Sequence, residues 1–182
     1  MTDNALMEAV RDGKVEKLAI LFERHQFPLF NFFLRLTGNR AASEDLVQDV
    51  FMRILKYRAT YQGEDKFTVW LYKIARNAHI DHLRKRKDAV ALDQQIVEPA
   101  SPLPGPADRT EREEEAALIA KAMAELSPRK QEILVLSRFQ NLKYEEIAAV
   151  MKCEVGTVKV RVYRALRELS DRFFALSGER AS

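Results

Sequence analysis

Apolar positions recur at helical spacing through nearly the whole chain. In residues 42–57, ASEDLVQDVFMRILKY, the side chains Leu46, Val47, Val50, Phe51, Ile54 and Leu55 fall on one face, with Ser43 placed to act as N-cap. A second helix is expected from about Thr68 through FTVWLYKIARNAHIDHLRKRK. SPRKQEILVLSRF opens with Ser127 as N-cap and Pro128 at the first helical position, a strong start signal. KYEEIAAVM reads as a short amphipathic helix that stops just before Lys152 and Cys153.

One stretch reads two ways. Val158-Lys159-Val160-Arg161-Val162 alternates apolar and charged, as a half-buried strand does, whereas Ala165 to Leu169 is made of helix formers. No other segment alternates, so a strand here would have no neighbour for its backbone hydrogen bonds. As a helix, the stretch puts Val158, Val162, Ala165 and Leu169 on one stripe. Gly156, Val160, Tyr163, Arg164 and Arg167 then fall opposite, with Lys159 and Arg161 on the flanks. The helical wheel sorts every residue, so the expected fold class is all-α.

Residues 88–115, DAVALDQQIVEPASPLPGPADRTEREEE, break the pattern. Four of the chain's six prolines lie there beside a run of acids, and the segment reads as a flexible acidic linker whose downstream end turns helical from about Glu111. The expected organisation is therefore two small helical domains, residues 1–87 and 117–182, joined by a linker over 88–116. Charge sharpens that division. Residues 1–87 hold 16 Lys and Arg against 11 Asp and Glu, residues 88–116 hold 2 against 8, and residues 117–182 hold 12 against 8. The overall net charge of +3 hides two basic segments around an acidic one. Cys153 is the single cysteine, which excludes an intramolecular disulfide and fits a reducing cytoplasm. The N-terminus carries Asp3, Glu8 and Asp12 and no leader-type apolar run. FPLFNFFLRL, residues 27–36, is too short to span a bilayer and is interrupted by Pro28 and Arg35. A cytoplasmic protein is expected.

The last two helices are separated by three or four residues, the spacing of a helix-turn-helix whose second helix enters the major groove. Arg164 and Arg167 are placed for contact with DNA, and Lys159 and Arg161 for phosphates. Val160 on that face suits either a tolerated surface valine or a contact with a thymine methyl. In the upstream domain, Leu71, Ile74, Ala75, Ala78 and His82 share one face of the helix after Phe67. Lys73, Arg76, Asn77, Ile80, Arg84 and Lys87 cover the other, with Trp70 at its edge. Cations beside Tyr61, Phe67, Trp70 and Tyr72 suit single-stranded nucleic acid, on whose bases rings stack. Phe67 reads as core, while Trp70 suits core and DNA face equally. Asp45 and Asp49 lack a third ligand, and His79 and His82 have no cysteine nearby, so no metal is expected. Nor is there a phosphate-binding loop or an activated nucleophile. The chain reads as a binding protein, not an enzyme, with no cofactor and no small-molecule substrate.

SEDLVQDVFMRIL, FTVWLYKIARNAHIDHLRKRK and LSPRKQEILVLSRFQNLKYEEIAAVMKCEVGTVKVRVYRALREL together resemble the core motifs of the extracytoplasmic-function group of bacterial RNA polymerase sigma factors, in the sigma-70 family. The resemblance covers residues 15–87 and 117–175. It implies that the first motif packs on the β′ clamp of core RNA polymerase, through Asp45, Gln48, Asp49 and Arg53, with the β flap as a second polymerase contact of the family. It implies that the second motif and the loop before it recognise and help melt the −10 promoter element, through Trp70, Lys73, Arg76, Asn77 and Arg84. The last helix would read the −35 element through Thr157, Lys159, Val160, Arg161, Tyr163, Arg164 and Arg167. Many members are held inactive by an anti-sigma factor, and the sequence by itself reveals none. Three positions depart from the family pattern, which commonly has Gly at the position of Lys152 and Ser at those of Glu154 and Val160. Lys152 is strained if its φ is positive, and Glu154 is a poorer cap than Ser.

The competing reading is an autonomous helix-turn-helix regulator that binds operator DNA without polymerase, typically as a dimer. The acidic face of EDLVQDVF separates the two, since polymerase docking uses it and a dimerisation or ligand domain does not.

Overall fold

The computed structural model describes residues 1–92 and 111–178. Every regular element among them is helical, as expected. The chain divides into two compact units, Met1–Ser101 and Pro102–Ser182. Residues 93–110, the middle of the expected linker, lie outside the described residues, and the helices on either side reach into its two ends.

The first unit holds α1 (Asp3–Arg11), α2 (Leu18–Thr37), α3 (Arg40–Tyr57) and α4 (Phe67–Leu92), with short 3-10 turns at Val15–Lys17 and Arg58–Thr60. α1 starts at Thr2, whose hydroxyl accepts from the Ala5 N–H, and buries Leu6, Met7 and Val10. Asp3 on its first turn pairs with Arg24 at 2.7 Å and His25 at 2.8 Å, tying α1 to α2. Gly38 ends α2 in the left-handed conformation at φ 64, which a residue without Cβ adopts freely. The next residue, Asn39, caps α3 by accepting from the Ala42 N–H at 2.9 Å.

Ser43 is therefore not the cap that its place in the sequence suggests. It is buried inside α3, and its hydroxyl donates back to the Asn39 carbonyl at 2.6 Å, one turn earlier. The expected apolar stripe of α3 faces the core, with Leu46, Val47, Val50, Phe51 and Ile54 buried and Leu55 half-buried. α4 departs more from the expected wheel. Leu71, Ala75 and Ala78 are buried, but so are Val69, Tyr72 and His79, whereas Ile74 and His82 are only half-buried. The reason is that α4 packs against both α1 and α3, so a single stripe cannot describe it.

The second unit contains α5 (Glu111–Ala124), α6 (Pro128–Leu134), α7 (Tyr144–Met151) and α8 (Val155–Ser177). Pro128 stands at the start of α6, but the Ser127 hydroxyl makes no capping bond. α6 runs into a π-helical turn at Val135–Phe139, where the expected α-helix would have continued. The wider turn leaves both Val135 and Leu136 fully buried. α8 packs on α5, α6 and α7, and its ion pairs from Glu168 to Lys130 and from Arg172 to Glu125 hold the end away from its N-terminus.

Lys152 closes α7 at φ 52 and ψ 52, the left-handed conformation suspected from the sequence. An L-residue held there costs roughly 1–2 kcal/mol, and glycine returns part of that gain through a looser unfolded chain. Lys152→Gly is thus expected to stabilise the protein by about 0.5–1 kcal/mol in denaturant titration. A loss of stability would contradict the strain at this turn.

Candidate nucleic-acid and partner interfaces

Three residues join α7 to α8, and Glu154 takes the N-cap position of α8 without making a side-chain bond. The wheel reading of α8 holds at its buried seam. Val158, Val162 and Ala165 have essentially no exposed surface, and Leu169 is half-buried. On the other side Lys159, Val160, Arg161, Tyr163, Arg164 and Arg167 are exposed, and Thr157 is half-buried. Val160 keeps 48% of its surface and Tyr163 65%. The strand-like alternation thus came from two valines facing inward and one facing out. Exposed cations around an apolar pair, on the first turns of the second helix, form a surface of the kind that enters a major groove.

In the first unit Trp70, Lys73, Asn77 and Arg84 lie within about 60° of one another around α4, with Arg76 about 60° further round. Asn77 and Arg84 are exposed, while Trp70, Lys73 and Arg76 are half-buried. Of the aromatic residues near this face, Tyr61, Phe67 and Tyr72 belong to the core. Only Trp70 remains for an external contact, its ring edge-on to Tyr61 at 5.2 Å. Lys73 is steadied by Asp65, whose carboxylate accepts from its ammonium at 2.6 Å. Burial holds the Tyr72 hydroxyl well above its ordinary pKa, consistent with a core role.

On α3, Asp45 and Gln48 are exposed and Asp49 is half-buried. Arg53 donates to Asp49 at 3.0 Å and to Asp81 of α4 at 2.8 Å. Its guanidinium thereby ties α3 to α4 while staying partly exposed beside Asp45, Gln48 and Asp49. Sequence reasoning overlooked Met52, which is 66% exposed in the middle of that face. Its omission from the apolar stripe was the available signal. An apolar centre with a polar rim is how protein interfaces are commonly built. Among the described residues, no group of three or more His, Cys, Asp or Glu side chains is placed to hold a metal, and no helix is long and apolar enough to cross a membrane.

Two family models match the chain in order, Sigma-70 region 2 over residues 21–89 and Sigma-70, region 4 over residues 116–169. The RNA polymerase sigma factor CarQ of Myxococcus xanthus is 32% identical over 91% of this chain and 94% of its own length. The ECF RNA polymerase sigma-E factor of Escherichia coli is 26% identical over 94% of each chain. Among solved structures, the sigma factor RpoE in complex with the anti-sigma factor NepR, from Bartonella quintana, superposes with a TM-score of 0.71 at 26% identity. It covers 85% of this chain and 94% of that one. With both regions matched in order and a relative similar over nearly its whole length, the chain belongs to the extracytoplasmic-function group of the sigma-70 family of RNA polymerase sigma factors.

Proposed function

We propose that this sigma factor divides promoter recognition between its two units and docks on core polymerase through α3. Promoter recognition and transcription initiation are the family's function and the function of this chain. In the proposed division, residues 1–87 bind core polymerase and the −10 element, residues 117–182 bind the −35 element, and the acidic segment 88–116 links them. Lys159 and Arg161 hold phosphates, and the α8 face around Val160, Arg164 and Arg167 meets base edges. Trp70, Lys73, Arg76, Asn77 and Arg84 serve the −10 strand, where opening of the duplex exposes bases to a ring. The role is non-catalytic and cytoplasmic, alongside the polymerase. An anti-sigma factor is a further proposed partner, supported by the relative solved in complex with one.

The observation that carries this reading over the autonomous regulator is the outer face of α3, where Asp45, Gln48 and Asp49 surround the exposed Met52. Asp49→Ala tests it. The Asp49–Arg53 pair is partly exposed, so its loss costs at most about 1 kcal/mol of fold stability. Affinity for core polymerase is expected to fall roughly tenfold, about 1.4 kcal/mol, with α8 contacts to DNA unchanged. Unchanged core affinity would remove α3 from the docking surface, and equal loss of both activities would mean the variant merely unfolds.

A further inference from the structure

α1 lies ahead of the region 2 match at residues 21–89, and no role proposed above uses it. Its position argues for one. Asn4 reaches the start of α4, where its Oδ1 accepts from the Phe67 N–H at 2.8 Å and its amide nitrogen donates to the Asp65 carbonyl at 3.5 Å. Phe67 is the first residue of α4, so its N–H has no acceptor within the helix. The neighbouring Lys66 side chain has no acceptor to offer it, and Asn4, 63 residues away, does what an N-cap does. One turn along α1, Glu8 lies over Gly63. A Cβ at Gly63 would come within 2.9 Å of Glu8 Oε1, at a position already in the left-handed region with φ 74. A further turn along, Arg11 donates to the Tyr61 carbonyl at 3.3 Å.

Asn4, Glu8 and Arg11 thus share one face of α1 and run along residues 61–67. Leu6 and Val10 on the opposite face, with Met7 on the flank, are buried in the core. The segment held in this way supports the −10 face directly, because Asp65 accepts from Lys73 and the rings of Tyr61 and Phe67 lie 5.2 and 6.3 Å from Trp70. We propose that α1 is a splint for this face: Asn4, Glu8 and Arg11 are positioning residues that hold segment 61–66 so that Trp70 and Lys73 meet unpaired −10 DNA in one fixed arrangement. A preformed site binds more tightly because less ordering is left to binding. The proposal rests on the reading of α4 as the −10 reader.

The test uses holoenzymes assembled from core polymerase and the full chain carrying Asn4→Ala, Asn4→Asp or Thr2→Ala. The probe is a fluorescent single-stranded oligonucleotide with the non-template −10 sequence of a promoter this holoenzyme transcribes. Thr2→Ala removes the cap of α1 itself and so reports simple loss of helix stability. Asn4→Ala is expected to weaken oligonucleotide binding roughly five- to tenfold, the range set by loss of an N-cap, and to leave affinity for core polymerase unchanged. Asn4→Asp keeps the acceptor at the positive end of α4 and is expected to restore most of the affinity. Thr2→Ala is expected to stay near wild type. Wild-type oligonucleotide binding by Asn4→Ala, or an equal loss in Thr2→Ala, overturns the splint alone. A wild-type holoenzyme that ignores the oligonucleotide overturns the −10 reading of α4 and the splint with it.

Discussion

Replacing Arg164 and Arg167 together by alanine is expected to cut initiation at a −35-dependent promoter by about 10²- to 10³-fold at limiting holoenzyme, since each base contact by an arginine is worth about 1–3 kcal/mol. Both side chains are exposed on the face of α8 that turns away from Val158, Val162 and Ala165. The fold does not need them, so the melting temperature should barely move. Their neighbour Glu168 points its carboxylate to Lys130 and Arg172 and belongs to the packed side of the helix. Surface arginines with no part in recognition would give a loss of a few-fold at most, indistinguishable from any change of net charge. Lys159→Ala and Arg161→Ala are informative beside the pair, because phosphate contacts weaken binding to every sequence and reduce its salt dependence.

The second large effect is on stability in acid. His79 is 5% exposed, its Nε2 has no hydrogen-bond partner, and burial, helped by the charge of nearby His82, lowers its pKa to about 4. The folded value lies below the unfolded one of 6.5, so the contribution of neutral His79 is complete above pH 6.5. Between pH 6.5 and 4 the unfolded chain takes up a proton that the folded chain refuses, and stability falls by up to about 3 kcal/mol. His82 is shifted down as well, by burial first and by Arg86 and Lys85 next, and acts in the same direction. Unfolding measured in urea at pH 7 and pH 4.5 should show this loss in the wild type and most of it abolished in His79→Leu. Equal losses in the two proteins would show that His79 is not the acid-sensitive group.

What the sequence disclosed depended on whether a feature was local. The buried seam of α8 and the stripe of α3 could be read directly, because one face of each helix does the burying and the period of 3.6 records it. The strain at Lys152 could be suspected only through the family resemblance, which commonly has Gly at that position. The strand-like alternation misled because Val160 is apolar for a reason unrelated to Val158 and Val162. Ser43 misled because a serine ahead of an apolar run looks like a cap. The real cap, Asn39, is set by the left-handed turn at Gly38 just before it. α4 was only half legible, since a helix packed against two neighbours buries more than one stripe. Arg53, placed on the polymerase-binding face by the resemblance, also bridges α3 to α4, a link that depends on Asp81, 28 residues away, and that no spacing along α3 reveals. The least legible feature was Asn4, a polar residue near the N-terminus whose partner is the first N–H of a helix 63 residues on. No periodicity encodes such a contact.

The central claim is that the chain directs polymerase to promoters and does not act on DNA by itself. Run-off transcription with purified core polymerase over a promoter library tests it most directly, beside footprinting of the same DNA by the protein alone. Promoter-dependent transcripts that appear only when protein and core are combined, with no footprint from the protein alone, are the predicted result. No promoter-dependent transcript with core, together with specific footprints by the free protein, would contradict it.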